Sequence, residues 1–223
     1  MSIWNGIEIH PRVEANAAAI QLLQDIPSSI ISDIMGGRLV GTTGLRPINR
    51  SVVSVCGNAV TVRVRAGDNL LIHKALEMLQ VGDVLVVDGE ADVTRALVGE
   101  IMMTTAHVRG AIGFVIDGAV RDIDAFETIG FPCWARGVSL RGPYKEGPGN
   151  INIPVTVGGM LVNAGDIVVG DSDGLVAIPV KLAAEVAAKA HEKIRVEQET
   201  LAAIRAGTYS GAWVDAILKQ KGF

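Results

Sequence analysis

Apolar positions along the chain fall into helix-spaced and strand-spaced runs that follow one another. Within residues 11–35, Ala17, Ala18, Ile20 and Leu23 group on one side of a helix. Pro27-Ser28-Ser29 opens a second helix through Met35, which Gly36-Gly37 stops. Residues 60–64 alternate as a strand does, and Asp68 caps an amphipathic helix over 69–79 with Leu71, Ala75 and Met78 inward. Residues 83–88, closed by Gly89, form the short apolar run of a buried strand. A helix over 99–109, Gly110 and a second buried strand at 113–118 complete a strand–helix–strand unit. Such a parallel crossover places its ligand site beyond the carboxyl ends of its strands, here the loops after Asp88 and Asp117. Short strands are expected at 131–134, 153–157, 166–169 and 175–178, with Gly158-Gly159 a turn. After Pro179 a long charged helix occupies 180–206. With no repeat and no linker, the pattern predicts one α/β domain over 1–223, its core at about 26–179 and a C-terminal helical extension at 180–223.

Composition narrows the partners. At 49% hydrophobic and 20% charged, the chain can bury a sizeable core, which excludes a disordered protein. The net charge is −4 with no basic block, and three Trp, two Tyr and four Phe are few for stacking on bases, so nucleic acid is not expected as the main ligand. Cys56 and Cys133 lie far apart and form no CxxC, which supports neither a zinc ribbon nor a disulfide framework. The N-terminal residues lack the pattern of a signal peptide, and no uncharged apolar run reaches the roughly 18 residues of a membrane helix. The expectation is a soluble, reduced, cytoplasmic protein.

Several chemistries lose support because their motifs are missing. His10, His73, His107 and His191 are widely spaced, and there is no HExxH, GxSxG, P-loop or GxGxxG. What stands out is the run 117–122 after the second crossover strand, which puts Arg121 beside Asp122. A planar guanidinium can grip an oxyanion, while one carboxylate can ligate a hard divalent ion that keeps most of its water. The plainer alternative is that Asp122 caps the next helix, Glu127 serves Asp124 in a capping box, and Arg121 points to solvent. On the other loop, Gly99, Glu100, Ile101 and Met102 begin a helix whose free N–H groups suit a carboxylate or phosphate. In the tail, Ala190, Ile194, Leu201 and Ile204 outline an apolar seam with Glu197 in its gap, which suggests a cationic partner for Glu197, in this or an adjoining subunit. Alternatively Val196 takes over the seam and Glu197 stays solvated beside Lys193.

The run from Val98 to Ala125, with GEIM at 99–102 and IDGAVRD at 116–122, closely resembles the RraA-like group and its enzymatic members, the class II 4-hydroxy-4-methyl-2-oxoglutarate / 4-carboxy-4-hydroxy-2-oxoadipate aldolases. The likeness extends from about Ile26 to Ala206. It implies a swivelling β/β/α-type domain, a small 2-oxo acid substrate, and Mg²⁺ or Mn²⁺ as cofactor. It further implies that the backbone of Gly99, Glu100, Ile101 and Met102 cradles the pyruvate carboxylate, that Arg121 contacts substrate, and that Asp122 holds the metal. Glu197 is the loose match for a glutamate that supports the metal waters from a neighbouring subunit of a homotrimer or homohexamer. Met102 replaces the leucine expected there, and the long tail favours the aldolase branch over the regulators of ribonuclease E, which tend to lack it. The menaquinone methyltransferase label carried by some members is unsupported, since no glycine-rich cofactor loop is present.

The implied reaction splits the C3–C4 bond of a 4-hydroxy-2-oxo acid and stabilises the resulting pyruvate enolate; the same electron sink allows oxaloacetate decarboxylation. A water would accept the C4 hydroxyl proton, since no histidine is obviously placed for it. Two rivals remain open. One is a Schiff-base aldolase using Lys74, whose neighbours Leu71, Ile72, Ala75 and Leu76 are apolar. The other is a non-catalytic regulator that binds ribonuclease E or another protein.

Overall fold

The computed structural model describes residues 6–36, 44–51 and 54–223. Its strands are β1 (Ile7–Ile9), β2 (Arg46–Pro47), β3 (Val55–Val64), β4 (Asp83–Asp88), β5 (Ala96–Val98), β6 (Gly113–Val120), β7 (Cys133–Val138), β8 (Gly149–Ile151), β9 (Val155–Val157), β10 (Met160–Val162), β11 (Ile167–Gly170) and β12 (Leu175–Ile178). The helices are α1 (Ala17–Leu23), α2 (Ser28–Ile34), α3 (Leu70–Leu76), α4 (Glu100–Val108), α5 (Ile123–Ile129), α6 (Ala183–Arg205) and α7 (Ala212–Gln220).

One sheet runs β1-β8-β3-β4-β6-β7-β2, with β11 and β12 continuing from β3 and β5 paired to β6. Its centre, β3-β4-β6-β7, is parallel, as the crossover pattern requires. Both faces of that centre are covered, which is why the strands read as continuous apolar runs. On β4, Leu85 and Val87 face α3, α4 and α5 together with Phe114 and Ile116 of β6, Leu71, Met103 and Phe126. The alternate residues Val84 and Val86 join Val115 and Trp134 against the ribbon formed by β9 and β10, through Val155, Val157, Met160 and Val162. A third cluster packs α1, α2 and the first half of α6 on β11 and β12.

Several expected bounds shift. The N-terminal helix begins only at Ala17, where the Asn16 side chain accepts from the Ala19 amide, and its buried residues are Ala19 and Leu23, with Ala17 and Ala18 exposed. Gly36 follows α2 with φ +73°, whereas Gly37 lies outside the described residues. The helix expected over 69–79 ends at Leu76, because the Glu77 and Met78 amides turn back to the carbonyls of Lys74 and Ala75. Asn69, not Asp68, occupies its N-cap position. The expected strand at 131–134 is displaced to Cys133–Val138, since the Phe131 amide closes the end of α5 on the Phe126 carbonyl. Strand β6 continues past Gly118 to Val120, with a register irregularity between Ile116 and Ala119, so the loop expected directly after Asp117 begins only after Val120. No helix among the described residues is long and apolar enough to cross a membrane.

Candidate active site

The site forms where two strand-to-helix junctions meet. Strand β5 pairs in parallel with β6, Val98 opposite Val120, so the starts of α4 and α5 lie side by side. The Arg121 amide donates to the Val98 carbonyl at 3.1 Å and ties the junctions together. The edge of the candidate site is therefore set by β5 and β6, rather than by the loops after Asp88 and Asp117. Asp117 instead is buried and accepts from Arg136 and from the Gly158 amide, the latter at 2.6 Å.

Asp122 stands at the N-cap position of α5 with φ +57°, yet its side chain does not cap that helix. Its Oδ2 accepts from the Glu100 amide at 3.1 Å, with Arg121 Nε 3.6 Å away. The capping box also does not form, because Glu127 accepts from the Arg50 amide and the Ser51 hydroxyl instead. Gly99 is required here by space alone, since its φ of −155° is ordinary extended backbone. A Cβ at that position would run into Asp122 Oδ2 and lie 3.0 Å from Arg121 Cγ. As Asp122 already occupies the Glu100 amide, the first-turn N–H groups left for a ligand are those of Ile101 and Met102.

Arg121, Asp122, Gly99, Ile101 and Met102 all line one cavity of about 190 Å³, whereas Glu100, the remaining residue of the expected cradle, is not in its wall. Strand β5 (Ala96–Val98) and Asn69, His73, Pro143 and Lys145 complete its wall, and none of the last four was singled out from the sequence as a site residue. The signal available was the i, i+4 spacing of Asn69 and His73 on one helix. Partial desolvation first, and then the nearby Lys145 ammonium, lower the His73 pKa from its usual value, although the residue keeps an exposed edge. Lys74 is absent from this wall. It is half exposed and paired with Glu77 at 2.5 Å, so it lacks the desolvation that an amine nucleophile needs.

Among the described residues no group of three or more His, Cys, Asp or Glu side chains comes together. Zinc, which takes three or four nitrogen or sulfur ligands, does not fit this donor set. Mg²⁺ or Mn²⁺ does fit, because such an ion keeps several waters and needs only one or two carboxylates; Asp122 leaves Oδ1 uncommitted in a cleft open to water. Glu197 is not part of the cavity wall. It is exposed and lies 3.5 Å from Lys193, which also reaches Asp33 at 2.8 Å. The seam on α6 is buried through Ala190 and partly at Ile194, whereas Leu201 and Ile204 stay about half exposed.

A family model described as RraA-like, Aldolase/RraA, matches residues 28–177. The chain is 39% identical over 180 residues, 81% of its own length and 85% of the relative's, to a Halalkalibacterium halodurans protein named provisionally as a 4-hydroxy-4-methyl-2-oxoglutarate aldolase. Among solved structures, a Streptomyces coelicolor protein described as an unusual member of the ribonuclease ES inhibitor RraA family superposes with TM-score 0.79 at 26% identity, covering 85% of this chain and 98% of that one. The RNA-processing inhibitor RraA of Thermus thermophilus superposes with TM-score 0.64 at 28% identity, covering 70% and 94%. By sequence and by fold, the chain belongs to the RraA-like family.

Proposed function

We propose that the chain is a carbon–carbon lyase that cleaves 4-hydroxy-2-oxo acids, such as 4-hydroxy-4-methyl-2-oxoglutarate, to pyruvate and a second carbonyl product. One observation carries this reading: Arg121 and Asp122 share a cleft with the uncommitted amides of Ile101 and Met102, and Gly99 puts no side chain between them. The two amides and the positive end of α4 receive the substrate C1 carboxylate. The Arg121 guanidinium takes up negative charge as it develops on the C2 oxygen, where one such donor is worth about 3–4 kcal/mol. Asp122 would hold Mg²⁺ or Mn²⁺ through Oδ1, and the cation supplies Lewis-acid charge to the keto oxygen when bound. His73 lines the same cleft with its pKa lowered, which suits its imidazole, rather than a water, to take the C4 hydroxyl proton. Oxaloacetate decarboxylation follows from the same charge placement.

The reading extends to a homotrimer or homohexamer in which Glu197 serves an adjacent subunit's cleft, supported by the exposed apolar residues Leu201 and Ile204 on the outer half of α6. A monomer in light scattering that still turns over substrate would remove that role.

The test is pyruvate release from 4-hydroxy-2-oxo diacids with Mg²⁺, on the wild-type protein and on Asp122→Asn, which keeps an acceptor for the Glu100 amide but loses the charge. Turnover in the wild type and its loss in the variant are expected. Equal zero rates across several substrates would instead favour a non-catalytic regulator of an RNA-processing enzyme, a reading supported by the likeness to the Thermus thermophilus inhibitor.

A further inference from the structure

Asn69 stands at the N-cap of α3, where an asparagine side chain ordinarily accepts from the second or third amide of its helix. Here it makes no such bond. Its Nδ2 instead donates to the Leu97 carbonyl at 2.9 Å and approaches Met102 Sδ at 3.3 Å. Leu97 precedes Gly99 and Met102 follows it, so one carboxamide touches both flanks of the turn that presents the free amides. The residue is 2% exposed, and its Oδ1 is buried without a partner. The orientation is fixed, because exchanging nitrogen and oxygen would set two acceptors face to face. A buried acceptor left unpaired is a cost that a capping geometry would have avoided.

The base of this prop is itself held. The Asn69 amide donates to the Tyr144 carbonyl at 3.0 Å. Next to it, the buried Asp68 carboxylate accepts from the amides of Leu70, Glu146 and Gly147. The same dipeptide therefore fixes the loop that carries Lys145 and the turn that carries Ile101 and Met102.

We propose that Asn69 is a positioning residue: its carboxamide gives up the helix cap in order to hold the Leu97–Met102 turn in the shape that receives a carboxylate. Its consequence for turnover rests on the lyase reading above, whereas its effect on the turn does not.

Asn69→Ser supplies the test, since serine caps a helix start well but is too short to reach Leu97 and Met102. In the unliganded protein, hydrogen exchange at the Glu100 and Met103 amides, bonded to Asp122 and Gly99, should rise at least about tenfold while the melting temperature is maintained. Oxalate affinity in the presence of Mn²⁺ should weaken about tenfold, and KM should rise while kcat changes less than about threefold. Asn69→Asp repeats the experiment in the same shape with no donor. Unchanged exchange at the two amides overturns the proposal. So does a general rise in exchange with a lower melting temperature, or failure of both variants to fold, since each marks Asn69 as a residue of the fold alone. If the turn loosens as expected but the wild type neither binds oxalate nor releases pyruvate, the positioning role stands and the lyase reading falls.

Discussion

Gly99 and Asp122 are matched in space: the volume a side chain would need at position 99 is filled by the Asp122 carboxylate that bonds the start of α4. Gly99→Ala is compatible with the backbone, so the variant should fold with a melting temperature close to the wild type. Its methyl group must displace Asp122 Oδ2 and crowd Arg121, and pyruvate release should fall by at least about a hundredfold, the scale of an ångström-sized misplacement. A variant with full activity would show that the carboxylate position does not matter.

The His73 imidazole should titrate below 6.5, because partial desolvation and Lys145 both oppose its charge. A histidine whose folded pKa is lowered costs stability as pH drops through the unfolded value, since the unfolded chain then binds the proton first. Stability should therefore decline on acidification below about pH 6.5, and Lys145→Met should move the His73 resonance only part of the way back, burial being the larger cause. Titration by NMR checks both statements, and a wild-type midpoint above 6.5 would contradict them.

At the other end of the sheet, Arg12 and Asp83 form a two-pronged pair, Nε to Oδ2 at 2.7 Å and Nη2 to Oδ1 at 2.8 Å, with both side chains buried. Asp83 also accepts from Asn58 and from the Gln80 amide, so removing Arg12 strips a partner from a side chain that stays enclosed. Arg12→Ala should lower stability in urea by about 3–5 kcal/mol, the usual result of stripping one partner from a buried pair. A loss under about 1 kcal/mol would mean that water reaches Asp83 freely.

Both thiols should be inert in the folded protein. Burial, with a smaller push from Asp25, raises the Cys56 pKa to about 11, and burial raises that of Cys133 as well. Iodoacetamide at pH 8 should leave both unmodified until urea is added, as mass spectrometry would show. Fast labelling of Cys56 in the native state would refute this.

The legible parts of the chain were those whose environment is periodic. Strands β4 and β6 were readable because both faces are buried, and α4 because Gly99 and Gly110 bracket it. Strands β1, β2, β5, β8 and β10 have two or three residues each, too few to display a period. The missing β5 matters most, because it moves the edge of the candidate site from Asp88 to Val98. Arg121 and Asp122 were visible as a charged pair directly after an apolar strand. Asn69, His73 and Lys145 were not, since the sheet and the Asp68-bound loop bring them to the cleft from distant parts of the chain. Glu197 shows the limit of helical spacing: a seam drawn along one helix does not tell where its neighbours end.

The left-handed backbone at Asp122 ties shape and chemistry to a single residue type. Only glycine, asparagine and aspartate enter that conformation readily, and of these only aspartate brings a negative charge. Genetic drift at this position therefore has few silent routes: most replacements strain the turn, and the two comfortable ones discharge it.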